Sequence, residues 1–471
     1  MALKLALISL QEDSDRAPPL GLVYLATYLD KKLGGIDTKM FDANFDKDIP
    51  KEVSRFKPDM IGISAMTVLY SKAVECAAKL KKLGVPIFIG GVHISTLPGS
   101  LNKVFDIGII GEGEETLKEL VELVLKNKFS CKNLKKVKGI EFYYKNKLIR
   151  TQDRPPIRNL DDIPIPNLDY ADKRYFLPRE NLSAGKMCIF GIMITSRGCL
   201  YRCVFCSTSR FWKTIRFNSA DYVAKNVKYQ IERYGVNHVD VLDDLFTVSK
   251  DRLRELIKAF KKEGILGKVS FSCQPRANLI DEEMCRLMKA LNVKSVNFGF
   301  ESGSERILNI LKNGTVTTEM NKRAIILCKK FGFKVYGSLI FGSPGETIED
   351  MKETLNFMDW CKEHKADYIW TFVATPFPAT IWWDDALKRG KVSNHMDWDK
   401  LSHHAIEDAM LTDVDKDDFK EIFKISREKS RGFKYGLIFS FVKEHPLFSV
   451  SLLFKNPVFY AEKFIIKVFK H

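Results

Sequence analysis

Three cysteines, Cys199, Cys203 and Cys206, stand within the stretch "CLYRCVFC". Thiolates at this spacing can fold round one compact inorganic cluster and bind three of its corners. Zinc is the first rival. A structural zinc site closes four ligands, as two separated pairs or with histidine, yet no histidine lies between Cys206 and His238 and no second pair follows. Cys188 is near enough to weigh as a fourth ligand, but it precedes an expected strand that should carry it to the far end of the domain. Four cysteine ligands would make an electron carrier. Three leave one iron open to a substrate.

Such a loop needs a scaffold. From Ile189 to about Trp383, apolar runs such as "GIMITS", "HVDVLDD", "SVNFGFE" and "KVYGSLIFG" alternate with amphipathic stretches such as "ADYVAKNVKYQIERYG" and "IEDMKETLNFMDWCKEH". About six strand–helix units predict an incomplete (β/α)6 TIM-like barrel over 189–385, with its chemistry at the carboxyl ends of the strands. The cysteine loop follows the first strand.

Residues 1–145 alternate in the same way, through "LKLALISL", "KMFDA", "MIGISAM", "PIFIGG" and "DIGIIGEG". This predicts an α/β domain with a doubly wound, Rossmann-like parallel sheet, which binds ligands beyond the carboxyl ends of its strands. Those ends carry Ser64 and Thr67, then Gly90, Gly91 and His93, then Gly111, Glu112 and Gly113. Glycine admits a ligand close to the backbone and hydroxyls can donate to it. No G-x-G-x-x-G follows the first strand, so a nicotinamide dinucleotide is disfavoured.

The segment 146–188 contains "RPPIRNLDDIPIPNLDY" and reads as an extended linker. Residues 386–471 are expected to be mainly helical. From Arg431 onward there are eight phenylalanines and seven lysines or arginines against two glutamates. That mixture suits either a helical cap on the barrel or helices lying on an anionic membrane surface. Ten scattered cysteines point to a reducing, cytoplasmic setting. No apolar run is long enough to span a membrane, and the N-terminus reads as a first strand without a leader-type cleavage site. The net charge of +16 favours an anionic partner or simply a soluble surface. Nucleic acid is not expected.

The cysteine loop, with Phe205 as its aromatic residue, resembles the C-x3-C-x-aromatic-C signature of radical S-adenosylmethionine (SAM) enzymes. "DVLDDLFT", "SVNFGFESGSERIL" and "YGSLIFGSPGETIEDM" resemble successive barrel strands of the branch that carries an N-terminal cobalamin (B12)-binding domain. "PPLGLVYLATYL", "IGGVHIST", "GEGEET" and "LDDIPIPNLD" are similar to that branch too.

The resemblance implies three cofactors: a 4Fe–4S cluster on Cys199, Cys203 and Cys206, SAM on the open iron, and cobalamin. It places Phe205 near the adenine, with Ile340 and Gly342 on the adenine-contact strand. Arg276 and Glu301 are candidates for the carboxylate and ribose of SAM, and Asp243 and Asp244 for its ammonium or a proton relay. It implies a one-electron reductant such as flavodoxin or ferredoxin, and a small-molecule or lipid substrate. The expected chemistry is a 5′-deoxyadenosyl radical with methyl transfer from cobalamin; the family alternatives are cyclisation, ring contraction and carbon–carbon coupling. A non-enzymatic cobalamin sensor fits less well, because the cysteine triad is intact.

Two departures matter. "LDD" replaces the family's frequent Gly-Gly-Glu, and "DANFDK" has Asn44 where many relatives place a cobalt-binding histidine. No histidine ligand to cobalt is therefore expected from that turn, and His93 is expected to touch the corrin or its nucleotide tail.

Overall fold

Strand β1 (Leu3–Ser9) is apolar and buried almost throughout, the pattern of a central strand covered on both faces. It pairs in parallel with β2 (Ile36–Asp42) on one side and β3 (Met60–Ser64) on the other. Next come β4 (Ile87–Gly90) and β5 (Ile107–Ile109), also parallel. The strand order reverses beside β1, which opens a crevice there. A hairpin of β6 (Ile140–Tyr144) and β7 (Lys147–Arg150) completes the seven-stranded sheet as an antiparallel edge. Its two-residue turn, Lys145 and Asn146, has positive φ at both positions, as a tight hairpin of matching twist requires. The domain therefore extends to Arg150, beyond the boundary expected at 145.

This computed structural model describes residues 2–12, 17–181, 186–402, 404, 406 and 409–444, with backbone alone from 434.

The segment expected to be an extended linker is packed. Short 3-10 turns at Leu160–Asp162, Leu168–Tyr170 and Lys173–Phe176 are capped by Asn159, Asn167 and Asp172. They bury Leu160, Leu168 and Tyr175 against Tyr24 and Tyr28 of the first helix and against Ile192 of the barrel. Alternating proline and apolar residues suit this, because each turn presents one apolar side chain to a shared core.

The second sheet has six parallel strands in sequence order: Phe190–Met193, His238–Val241, Ser270–Cys273, Val293–Glu301, Lys334–Phe341 and Tyr368–Val373. Amphipathic helices cover its outer face and share one large core with it. The helix Lys416–Glu444 lies along the last strand. Ser430 Oγ donates to the Ile369 carbonyl at 2.6 Å, and Phe423 packs edge-on against Phe341. That part of the C-terminal region is a cap on the barrel. Residues 445–471, with most of the aromatic, basic tail, lie outside the described residues. Among the described residues no helix is long and apolar enough to cross a membrane.

Candidate functional site

The cysteine loop leaves the first barrel strand through a two-residue ribbon, Ser196–Arg197 paired antiparallel with Arg216–Phe217. Gly198 follows at φ +108°, where a side chain would meet the Thr214 carbonyl at 2.7 Å. Only glycine serves there. The loop is then pinned twice by its backbone. Val204 N–H donates to the Leu311 carbonyl at 3.2 Å, and Ile381 N–H donates to the Val204 carbonyl at 3.0 Å.

All three thiols are half-buried, unpaired and line a single cavity of about 470 Å³. Burial pushes the Cys199 and Cys206 thiols above their ordinary range. Among the described residues no three potential ligands converge on the position of one ion. Thiols set apart round an open cavity fit a cluster that presents an iron at each corner. Cys188 is buried in a short hairpin strand at the opposite end of the first barrel strand, away from the loop.

Phe205, Asp244, Arg276, Glu301 and Ile340 line the same cavity. Arg276 stacks on Tyr201, its guanidinium 3.8 Å from the ring centroid. It donates to Cys203 Sγ at 3.2 Å and to Thr315 Oγ1 at 2.6 Å. Its charge thus faces the Cys203 sulfur as well as the open cavity. Glu301 accepts from Lys312 Nζ at 2.7 Å, with both side chains almost fully buried. The same ammonium lies 5.3 Å from the Phe205 ring centroid, and Phe205 packs against Trp382. Sequence reasoning missed Lys312. Its only signal is a lysine on an apolar helix face, eleven residues after Glu301.

Two expected contacts fall behind the wall instead of on it. Asp243 is buried and is not part of this cavity's lining. Its carboxylate accepts from Thr195 N and Oγ1, both at 2.5 Å, and from Ser196 Oγ at 2.8 Å. Burial still pushes its carboxyl above the usual range. Asp243 therefore fixes the approach to the cysteine loop, and it lies outside the lining of the thiol cavity. Gly342, at φ +81°, donates to Glu346 at 2.7 Å and faces Phe419 of the cap. Ile340, two residues earlier, does line the cavity.

A second cleft of about 430 Å³ opens at the carboxyl ends of β1, β3, β4 and β5. Ser64, Gly90, Gly91, Gly111, Glu112 and Gly113 line it. Gly91, at φ +97°, packs so closely that a side chain would meet the Ala65 carbonyl at 2.7 Å. One wall exposes Met66 (42%) and Val92 (44%); Leu242 (44%), from the barrel, stands on the other. Trp212 and Phe211 add aromatic surface. Large apolar side chains left open on both sides of a glycine-floored slot fit a flat macrocycle such as a corrin.

Thr67 and His93 are not in that lining. His93 is fully buried, stacked on Tyr70 at 3.9 Å, edge-on to Trp398 at 4.5 Å, and bonded through Nε2 to Ser100 Oγ at 3.1 Å. Burial lowers its pKa to about 3, so it stays neutral. It is a core histidine, held outside the lining of the cleft where a corrin contact was expected. Thr67 is buried where the 3-10 turn Thr67–Leu69 begins, and turns away likewise. Asn44 donates to Tyr175 Oη at 2.8 Å, and Tyr175 donates to Asp42 Oδ2 at 2.7 Å. The "DANFDK" turn is thus tied to the inter-domain segment.

The two cavities share Asp244 as a wall residue. Thr208 Oγ1 donates to it at 3.1 Å, and burial raises its pKa. A buried ionic seam lies beside it. Arg197 contacts Glu112 at 2.5 Å and Glu114 at 2.6 Å, and Arg216 contacts Glu112 at 3.0 Å. Burial works to raise the Glu112 pKa, but the two arginines outweigh it and hold the carboxyl below its usual range.

Residues 193–358 match the Radical SAM superfamily and residues 11–121 the B12 binding domain. The chain is 34% identical over 395 residues to an uncharacterised methyltransferase of Pyrococcus horikoshii, covering 82% of each chain. It is 27% identical to the cytidylyl-2-hydroxyethylphosphonate methyltransferase of Streptomyces wedmorensis, over 79% of this chain and 78% of that one. Its fold is similar to that of the radical SAM methyltransferase TsrM from Kitasatospora setae, solved with cobalamin and a 4Fe–4S cluster bound. There the TM-score is 0.68 at 19% identity, covering 83% of this chain and 75% of that chain. With a thiol-lined barrel cavity and a glycine-floored cleft meeting at Asp244, the chain belongs to the radical SAM enzymes that carry an N-terminal B12-binding domain.

Proposed function

We propose that this enzyme methylates a carbon of a lipid or other natural product, using cobalamin as the methyl carrier. One observation carries the reading: the thiol cavity and the corrin-shaped cleft are adjacent and share Asp244. When bound, the 4Fe–4S cluster supplies one-electron cleavage of SAM and cobalamin supplies methyl transfer.

The residues have separate tasks. Cys199, Cys203 and Cys206 would hold the cluster. Phe205 and Ile340 give an apolar face for an adenine, and Arg276 places a cation where a carboxylate can pair with it. Glu301 keeps one carboxylate oxygen for ribose hydroxyls while Lys312 holds the other. Ser64, Gly90, Gly91, Gly111 and Gly113 floor the cleft for a corrin, and Met66 and Leu242 would exclude water from its faces. Phe377, Phe372 and Trp382 make the far wall of the thiol cavity aromatic, which suits an apolar target carbon. A flavodoxin or ferredoxin is the reductant class this chemistry needs. A peripheral position on an anionic membrane, suggested by the basic aromatic tail, would bring such an enzyme to lipid.

The test is anaerobic turnover after reconstitution with iron, sulfide and hydroxocobalamin. Deoxyadenosine, S-adenosylhomocysteine and substrate mass are followed together in the presence of a lipid extract. Both SAM products with a gain of one methylene in the substrate are expected. Deoxyadenosine without homocysteine, with a substrate that loses hydrogen, would replace methylation by cyclisation or coupling.

A further inference from the structure

A closed barrel of this architecture is filled by layers of branched aliphatic side chains. This one carries polar side chains on part of its inner face. Asn297 and Ser338 line the thiol cavity. Side chains alternate along a strand, so residues two apart share a face, as do residues in parallel register. Ser295 therefore stands below Asn297. Ser272 is in register with Ser295, Asp240 with Ser272, and Trp370 with Ser338.

Hydrogen bonds confirm the shared face. His238 bonds Ser270 Oγ through Nδ1 and Ser272 Oγ through Nε2, both at 2.7 Å, and Ser272 bonds Ser295 at 2.7 Å. Asp240 lies 3.4 Å from His238 Nε2, with its side chain 30% exposed. Trp370 is 37% exposed, and Asn297 Oδ1 is buried without a hydrogen-bond partner. Of the cations nearby, Lys334 pairs with Asp367 at 3.5 Å and Lys312 with Glu301, and Arg276 belongs to the thiol cavity, where it is assigned to SAM. Among the described residues, the groups named on this face, Asp240, Ser272, Ser295 and Asn297, include no cation.

We propose that this inner face is the substrate-recognition surface, and that it takes a neutral, hydroxyl-rich ring such as a sugar or cyclitol. The ring's apolar face would stack on Trp370 while its hydroxyls donate to Asp240 and Asn297. The inference rests on the radical SAM reading above and names the substrate class of that same site. Asn297 and Ser338, which line the thiol cavity, join this face to it.

The test is saturation-transfer NMR on the full-length reconstituted protein without reductant, which reads binding alone. The probes are methyl glycosides and myo-inositol, their phosphate esters, a glycolipid, and a sugar-free phospholipid. Transfer to the neutral glycosides, the inositol or the glycolipid's sugar is expected. Asp240→Asn, Asn297→Ala and Trp370→Ala should each weaken it by about tenfold, the worth of one lost contact. Trp370→Phe should retain it, which separates lost stacking from misfolding. Equal or better transfer to the phosphate esters or the sugar-free lipid would overturn the inference, as would variants that bind like the parent. Deoxyadenosine formation is measured on the same preparation with SAM and reductant. If deoxyadenosine forms and no neutral probe binds, the inference falls and the radical reading stands; if probes bind and none forms, the radical reading falls.

Discussion

Arg197 Nη2 lies 2.6 Å from Glu114 Oε1, joining the cluster loop two residues before Cys199 to the last glycine-rich turn of the first domain. Glu112 reinforces the joint through Arg197 and Arg216. All four side chains are largely buried, so removing one partner leaves an uncompensated charge. Arg197→Met should cost about 3–5 kcal/mol in urea unfolding. Arg197→Lys keeps the charge but not the two-pronged contact. It should retain bound iron and corrinoid while product formation falls about tenfold or more, because a small misplacement of two reacting centres is costly. Iron content, corrinoid absorption and turnover on one preparation check this.

Alanine at Cys199, Cys203 or Cys206 should each abolish iron retention and deoxyadenosine formation. Cys188→Ala should leave both unchanged, since Cys188 is buried at the far end of the strand. Iron and sulfide analysis of the four variants decides this.

Lys312 and Glu301 form a buried pair at 2.7 Å. Lys312→Met alone strands a carboxylate and should destabilise the fold by about 3–5 kcal/mol. Adding Glu301→Gln should recover a good part of that loss. A double-mutant cycle by urea denaturation measures the coupling. If Glu301 also meets the ribose, Glu301→Gln will raise the KM for SAM as well.

Burial lowers the pKa of His93 to about 3. The unfolded chain titrates its histidines near pH ~6.5. Below that value the unfolded state binds a proton that the folded state refuses. The stability from a neutral His93 is thus full above about pH 6.5 and is lost by about 1.4 kcal/mol per pH unit on the way down to about 3. His93→Phe removes this slope. The stability gap between parent and variant should shift in favour of the variant as pH falls from 7 to 5, which denaturant melts across that range will show.

The strand–helix alternation was legible because buried parallel strands are continuous apolar runs and their covering helices are amphipathic. The cysteine triad and the glycine-bearing strand ends were legible too, since their residue types and spacing are local. The edge hairpin ending at Arg150 was hidden by its charged, half-exposed residues, and the packed turns of 159–176 by prolines that read as extended.

Sequence alone determined the strand–helix alternation of both domains, the spacing of the three loop cysteines and the absence of a histidine in the "DANFDK" turn. It could not decide which strand-end residues face a ligand. A single turn of backbone sends Gly91 into the cleft and His93 into the core beside Tyr70. The same holds for adjacent Asp243 and Asp244: one is consumed by Thr195 and Ser196, and the other faces both cavities. Nor could it pair Glu301 with Lys312 or Arg197 with Glu114. Those contacts join residues whose distance in sequence says nothing of their distance in space, and only the docking of strand on helix and domain on domain brings them together.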